Sequence, residues 1–167
     1  VGLGGLAATG AMLHAVNHSL AKGLLFLTAG NLLAIYRTKT IGQVQGVLRR
    51  APVNGALWLA GFFAIAGSPP FGLFISELTI LKGAMDGGHW TVAVLYLLLL
   101  GMIFVAMARL VLPMAFGEAP QPSQPAREPA WAVAPPLVLG AGALVLGLYV
   151  PGPLWNALAT RPPPWEC

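Results

Sequence analysis

Charged residues are so widely spaced along this chain that the stretches between them decide the fold. Four stretches, at residues 10–36, 53–84, 90–116 and 131–150, are almost wholly apolar and long enough to cross a membrane. An α-helix rises 1.5 Å per residue, so about 20 apolar residues carry it across roughly 30 Å of hydrocarbon. Only 8% of the 167 residues are Asp, Glu, Lys or Arg, against roughly 25% in an average soluble domain. That is too little charge to clothe a water-soluble surface, and 57% hydrophobic residues leave too much to cover. The expected fold is all-α: a polytopic transmembrane helix bundle of about four crossings, one of them discontinuous.

The same composition excludes other classes. Disorder needs low hydrophobicity, which is absent here. The single cysteine, Cys167, permits no intrachain disulfide and no cysteine-based metal cluster. Nine basic residues make no stripe of the kind a nucleic-acid backbone requires, so nucleic acid is not an expected partner. No nucleotide loop, catalytic triad or flavin fingerprint occurs. The basic excess instead reads as topology: Arg37, Lys39, Arg49 and Arg50 crowd the first connection, whereas the second offers Asp86 and His89. The positive-inside rule then places the first connection and residues 117–129, with Arg127, in the cytoplasm, and both chain ends on the other side. Val1 in place of Met, without the basic start of a signal peptide, reads as the opening of a segment from a longer polytopic chain.

Residues 37–52 are expected to be a loop, 117–129 a solvated linker, and 151–167 an irregular Pro-rich tail. The second crossing is too long for one straight helix and carries Gly67-Ser68-Pro69-Pro70-Phe71-Gly72 in its middle. Two prolines remove two amide donors and clash with the preceding turn, so a helix from Val53 should stop near Ala66 and another restart between Pro70 and Leu73. A break at membrane depth is tolerated only inside protein or beside a water-filled cavity. Pro135-Pro136 should kink the start of the fourth crossing. Trp58, Trp90, Tyr96, Trp131, Trp155 and Trp165 fall where interfacial anchoring is the economical account. Lys82 and Arg109 lie near enough to helix ends to snorkel. Gly2, Gly5 and the glycines between 140 and 147 read as close helix packing.

Four ionisable residues lie deep within the crossings: His14, His18, Lys22 and Glu77. Each costs about 2.5–3.5 kcal/mol on insertion scales, so each invites a functional account. The first three recur every fourth residue, which keeps them within about 80° on a helix, with Asn17 beside them. Imidazole titrates near neutrality and a lysine held out of water can release its proton, so this polar stripe has the chemistry of a proton relay. Two other readings stand beside it: polar side chains that merely tie helices together, and a metal shared by the histidines, for which Glu77 is the only nearby carboxylate. Glu77 follows the break by one and a half turns, which places a carboxylate beside a hydrated cavity where a neighbouring cation such as Lys22 can switch its charge. The alternative is a fixed Glu77–lysine ion pair holding helices together.

The run from His14 through Asn17, His18 and Lys22 to Leu24-Leu25-Phe26-Leu27-Thr28-Ala29-Gly30 resembles the H-x3-H-x3-K-x-LLFL-x-[AS]-G helix of the antiporter-like subunits of respiratory complex I and related complexes. Ala66 to Glu77 resembles that family's discontinuous helix, in which a G-x-P break precedes the Lys or Glu of the proton path. The two matches cover roughly residues 10–85, about half the chain, and residues after Trp90 match by hydropathy alone. Within the family, the wording around the break is most similar to the membrane subunit of energy-converting [NiFe] hydrogenases of the formate hydrogenlyase type.

This resemblance implies a fold of about fourteen helices built from two inverted units, of which the chain matches the final four crossings. It implies that Glu77 is a proton-path residue on the broken helix, Lys22 the central lysine, and His18 and His14 the connecting relay. It implies no redox centre on this chain, with iron–sulfur clusters and [NiFe] or flavin on partner subunits. The implied partners are other membrane subunits, a peripheral redox arm, the lipid bilayer and protons, in a bacterial cytoplasmic membrane. Two competing functions remain: a subunit of a multisubunit Na⁺(K⁺)/H⁺ antiporter, with Glu77 and carbonyls near the break as cation ligands, and a structural scaffold whose ionisable groups are satisfied pairs.

Overall fold

The computed structural model describes residues 5–118 and 125–159. Among them every regular element is helical: α1 (Gly5–Tyr36), a 3₁₀ turn (Ile41–Gln43), α2 (Val47–Arg50), α3 (Pro52–Ile65), α4 (Gly72–Asp86), α5 (Trp90–Phe116), α6 (Ala130–Leu148) and α7 (Gly152–Leu158). α1, α5 and α6 are long and apolar enough to span a membrane, and α3 is a shorter apolar helix. The chain is a polytopic membrane bundle.

α1 is the central post, packed against α3, α4, α6 and α7. Glycines set how closely the helices approach. A side chain on Gly10 would press on Ile80 of α4, one on Gly61 of α3 on Leu24 and Leu25, and one on Gly23 on Leu139 of α6. Small residues at such contacts let helix backbones gain dispersion contact, the main attraction left where lipid is as apolar as leucine. Gly5, by contrast, is exposed and has nothing within 4 Å of the space a side chain would fill; Gly2 lies outside the described residues.

The interruption between α3 and α4 is closed by backbone geometry. Gly67 adopts φ +64°, the left-handed conformation open to glycine. Ser68 N–H then donates to Phe63 O at 3.0 Å and Gly67 N–H to Ala64 O at 3.4 Å, the paired bonds of a Schellman cap. The prolines prevent the helix from resuming at once, and α4 starts at Gly72 after Phe71 N–H has bonded Ser68 O at 3.1 Å. The same cap ends α4, with Gly88 at φ +75° and His89 N–H donating to Ala84 O at 2.9 Å.

The connection at residues 37–51 is more ordered than a loop. The 3₁₀ turn and α2 fold Val44 and Val47 onto Leu32, with Tyr36, Trp58 and Met114 packed around them. Apolar residues in a polar-looking connection have somewhere to bury, and that burial organises the turn. Trp58 is therefore part of this cluster rather than an interfacial anchor, with its Nε1 buried.

Residues 125–129 return to the same end of the bundle. Ala126 N–H donates to Arg50 O at 2.7 Å, and the Glu128 carboxylate accepts from Val53 N–H at 3.0 Å, Asn54 N–H at 2.7 Å and Asn54 Nδ2 at 2.7 Å. α3 has no side-chain cap of its own, so a carboxylate 74 residues away satisfies its first donors.

Pro135 and Pro136 stand inside α6, which runs through them as one helix. A proline at 136 cannot donate to the Ala132 carbonyl one turn back. That carbonyl instead accepts from Asn31 Nδ2 of α1 at 2.8 Å, and the same amide also bonds Asn54 Oδ1 at 2.8 Å. The end of α6 rests on the break itself, where a side chain on Gly147 would overlap the Pro70 carbonyl and the Phe71 backbone. The stretch after residue 150 is not wholly irregular. Pro151 and Pro153 sit at the start of α7, where proline's fixed φ suits a first turn; residues 160–167, with Trp165, lie outside the described residues.

Candidate proton-path site

The break and the polar stripe of α1 meet at one depth. Asn17, fully buried, donates from Nδ2 to the Gly72 carbonyl at 2.8 Å. A side chain on Gly72 would overlap the Asn17 amide, so glycine here is what lets α1 read the first turn of α4. Ala21, one turn further along α1, is buried in a cluster with Ala64 and Leu73, which stand before and after the interruption.

One turn before Asn17, His14 Nδ1 lies 3.2 Å from the hydroxyl of buried Ser76 on α4. Ser76 spends its only hydrogen on the Leu73 carbonyl at 2.8 Å, so the contact requires the proton on His14 Nδ1. In the neutral ring His14 Nε2 then keeps its lone pair. His18 stacks on His14 with ring centroids 5.6 Å apart and planes inclined by 22°. His18 Nδ1 is buried and has no hydrogen-bond partner among the described residues. Lys22, a turn further, is exposed on the face of α1 that also presents Ala15, Ser19 and Phe26.

Glu77 follows Ser76 directly, and one residue on a helix is about 100° of rotation. Ser76 therefore faces α1 while Glu77 turns toward α5. Glu77 is 9% exposed and lines a cavity of about 290 Å³ with Gly67, Phe74, Leu81, Tyr96 and Phe104. Its carboxylate lies so close to Gly67 that any side chain at that position would overlap it. The left-handed glycine that caps α3 is thus also the wall against which Glu77 rests.

The structure brings His14 and His18 together and places Glu77 beside the break, but on another side of α4. Among the described residues no hydrogen bond or ion pair joins Glu77 to His14, His18 or Lys22, and no Glu77–lysine pair is formed. Lys82 pairs with Asp86 at 2.7 Å on the surface rather than standing as a lone snorkelling cation. Arg109 is exposed. Ser68, Pro69, Pro70 and Phe71 form the turn and contribute no hydrogen bond to any of the four ionisable groups.

Two residues of the site are not singled out for it by the sequence pattern. Ser76 carries a usable signal, since a small polar residue next to Glu77 must face α1 if Glu77 does not. Tyr96 suggests an interfacial anchor by its position near the start of α5. It is instead half-buried in the Glu77 cavity, because α5 runs antiparallel beside α4 and brings its second turn to the level of Glu77.

An interrupted crossing with a buried carboxylate on one side of its second half and two half-buried histidines on the other defines a class: polytopic membrane proteins with polar sites within the bundle. Residues 1–104 match the transmembrane family described as NADH:quinone oxidoreductase/Mrp antiporter, and the chain belongs to that family. It is 35% identical over 127 residues to the hydrogenase-4 component F homolog of Methylacidiphilum infernorum, covering 75% of this chain and 26% of that one. It is 32% identical over 157 residues to an NADH-quinone oxidoreductase subunit of Desulforudis audaxviator, covering 86% and 31%. Against a Na(+)/H(+) antiporter subunit of Bacillus subtilis it is 28% identical over 116 residues, covering 70% and 24%. A chain of the Mrp complex from Dietzia has the same fold, with a TM-score of 0.78 over 87% of this chain and 36% of that one, at 21% identity. The chain thus spans between about a quarter and a third of the length of these curated relatives.

Proposed function

We propose that this chain forms part of the proton path in a membrane subunit of a respiratory-type redox complex, related to energy-converting hydrogenases and NADH:quinone oxidoreductases. The observation that carries the proposal is Glu77: a buried carboxylate without a pairing cation among the described residues, held at a helix break by a glycine and open to a cavity. A carboxylate kept only for structure is satisfied by a partner. One that must gain and lose a proton needs room for water and a charge that neighbours can shift.

In this reading His14 and His18 carry protons along α1, with His14 oriented by Ser76, and Glu77 serves the cavity on the α5 side. Water within the bundle, or helices of the complete protein, link the two. The exposure of Lys22 supports further helices against that face, because a lysine at this depth is a poor lipid-facing residue. The chain would carry no redox centre. Iron–sulfur clusters and [NiFe] or flavin would reside in a peripheral arm, docked with other membrane subunits in a bacterial cytoplasmic membrane.

A second reading has a specific observation behind it. The likeness to the Bacillus subtilis antiporter protein favours Na⁺(K⁺)/H⁺ exchange, with Glu77 as a cation ligand. Inverted membrane vesicles holding the full-length protein in its native complex separate the two. The redox reading expects substrate-driven proton uptake that persists without Na⁺ and falls at least tenfold in Glu77→Gln, with complex assembly intact. Uptake driven only by an imposed Na⁺ gradient selects the antiporter. Loss of assembly in Glu77→Gln together with Glu77→Asp refutes both and leaves a scaffold.

A further inference from the structure

At the arginine-rich end of the bundle, where Arg37 stands about 30 Å along α1 from His18, three segments line a second cavity. It measures about 520 Å³ and is lined by Arg37 at the end of α1, Arg50 at the end of α2, Arg127 in the returning strap, and Asn31, Glu128 and Trp131. The proton path uses none of them.

The charge balance of this cavity is one-sided. Three guanidinium groups face one carboxylate, Glu128, which keeps its charge but directs its oxygens to Val53 N–H, Asn54 N–H and the Asn54 amide. Arg50 is held in place by a bond from Nη2 to the Ile35 carbonyl at 3.3 Å and by stacking on the Tyr36 ring at 4.5 Å. Its Nε is buried and has no acceptor among the described residues. Neither Arg37 nor Arg127 forms an ion pair among those residues. Membrane topology asks only for positive charge on this side; it does not ask for three guanidinium groups from separate segments around one cavity. Guanidinium groups are the donors suited to phosphate oxygens.

The surroundings fit an amphiphile. Trp131 is 79% exposed at the rim, as expected of an indole at headgroup depth. Further along α6, Leu137 and Val138 are exposed and apolar, as contact with acyl chains requires.

We propose that this pocket binds a phosphate group, presented by an anionic phospholipid whose chains lie along α6. Basic pockets at membrane surfaces recognise such headgroups through these contacts. Occupancy would tie the end of α1, α2 and the strap into one unit around the lipid.

The test uses the full-length protein in its native complex, exchanged into phosphatidylcholine nanodiscs containing a minor fraction of phosphatidylglycerol, with retained lipids counted by native mass spectrometry. Arg37→Gln/Arg127→Gln is the variant. Both side chains are exposed, and Arg50 is left to hold Tyr36 and Ile35. The wild-type complex should retain about one more phosphatidylglycerol per chain than the variant, and inorganic phosphate at millimolar concentration should not displace it. Equal retention in the two proteins overturns the site. Displacement by inorganic phosphate overturns the lipid as its occupant. If the double variant fails to assemble, each single substitution is read in the same way.

Discussion

Gly67→Ala tests whether the break positions the carboxylate or merely interrupts a helix. At φ +64° an alanine is strained by roughly 1–2 kcal/mol relative to glycine. Its methyl carbon would stand 2.7 Å from Glu77 Oε1 and closer still to the other oxygen. To reach an ordinary contact of 3.4 Å, Oε1 must withdraw by about 0.7 Å and the nearer oxygen by considerably more, into the cavity that the carboxylate shares with Tyr96. The strain alone is small beside the stability of a packed bundle, so the protein should still assemble. Proton transfer depends on donor–acceptor distances at the scale of tenths of an ångström, and a misplacement near 1 Å can cost on the order of 100-fold in a positioned reaction. Gly101→Ala is the control: it lines the same cavity, yet nothing lies within 4 Å of its added methyl group. The assay is substrate-driven quenching of a pH-sensitive dye in inverted vesicles holding the native complex, beside thermal stability in detergent. If Glu77 serves the proposed proton path, Gly67→Ala should reduce the proton signal at least tenfold with little change in melting, and Gly101→Ala should reduce neither. Full pumping in Gly67→Ala, or equal loss in both variants, would refute the claim that the glycine sets the position of Glu77.

Two further substitutions test the polar ties at the opposite end. Asn31→Leu removes the donor to both Asn54 Oδ1 and the Ala132 carbonyl; a loss of about 1–2 kcal/mol should appear as a lower melting temperature in detergent, and no change would mean that Pro136 leaves no carbonyl in need. Glu128→Ala withdraws the acceptor from the first donors of α3, so amide exchange at Val53 and Asn54 should accelerate, with about 1–2 kcal/mol of local stability lost. Unchanged exchange at both amides would show that α3 starts without help from the strap.

Much of the architecture is legible in the sequence because it rests on short-range physics. Hydropathy alone marks the crossings, since a helix in lipid must satisfy its own backbone. The prolines and glycines at 67–72 announce a break because proline's missing donor and glycine's freedom act on adjacent residues, and α3 and α4 end and begin where those constraints place them. The four ionisable residues are conspicuous through their cost in a membrane. Less legible is anything that depends on a partner. Residues 37–52 look polar enough for a loop, and only the presence of Leu32 and Met114 opposite Val44 and Val47 turns part of that stretch into helix. Trp58 and Tyr96 suggest interfaces by their distance from helix ends, which ignores what the next helix brings alongside.

What the sequence determined by itself, then, is the membrane class, the interrupted crossing and the identity of the groups that can carry charge. Each of these follows from residues within a turn or two of one another. Tertiary structure alone decided that Ser76 orients His14 while Glu77 looks across to Tyr96, that Lys22 lies on an open face, and that Glu128 and Asn31 supply what α3 and α6 lack. The hydrogen bonds among these contacts join residues 62 to 101 positions apart. Periodicity tells which residues share a helix face, but the angle at which that face meets its neighbours is set by close packing, here by glycines at 10, 23, 61, 72 and 147.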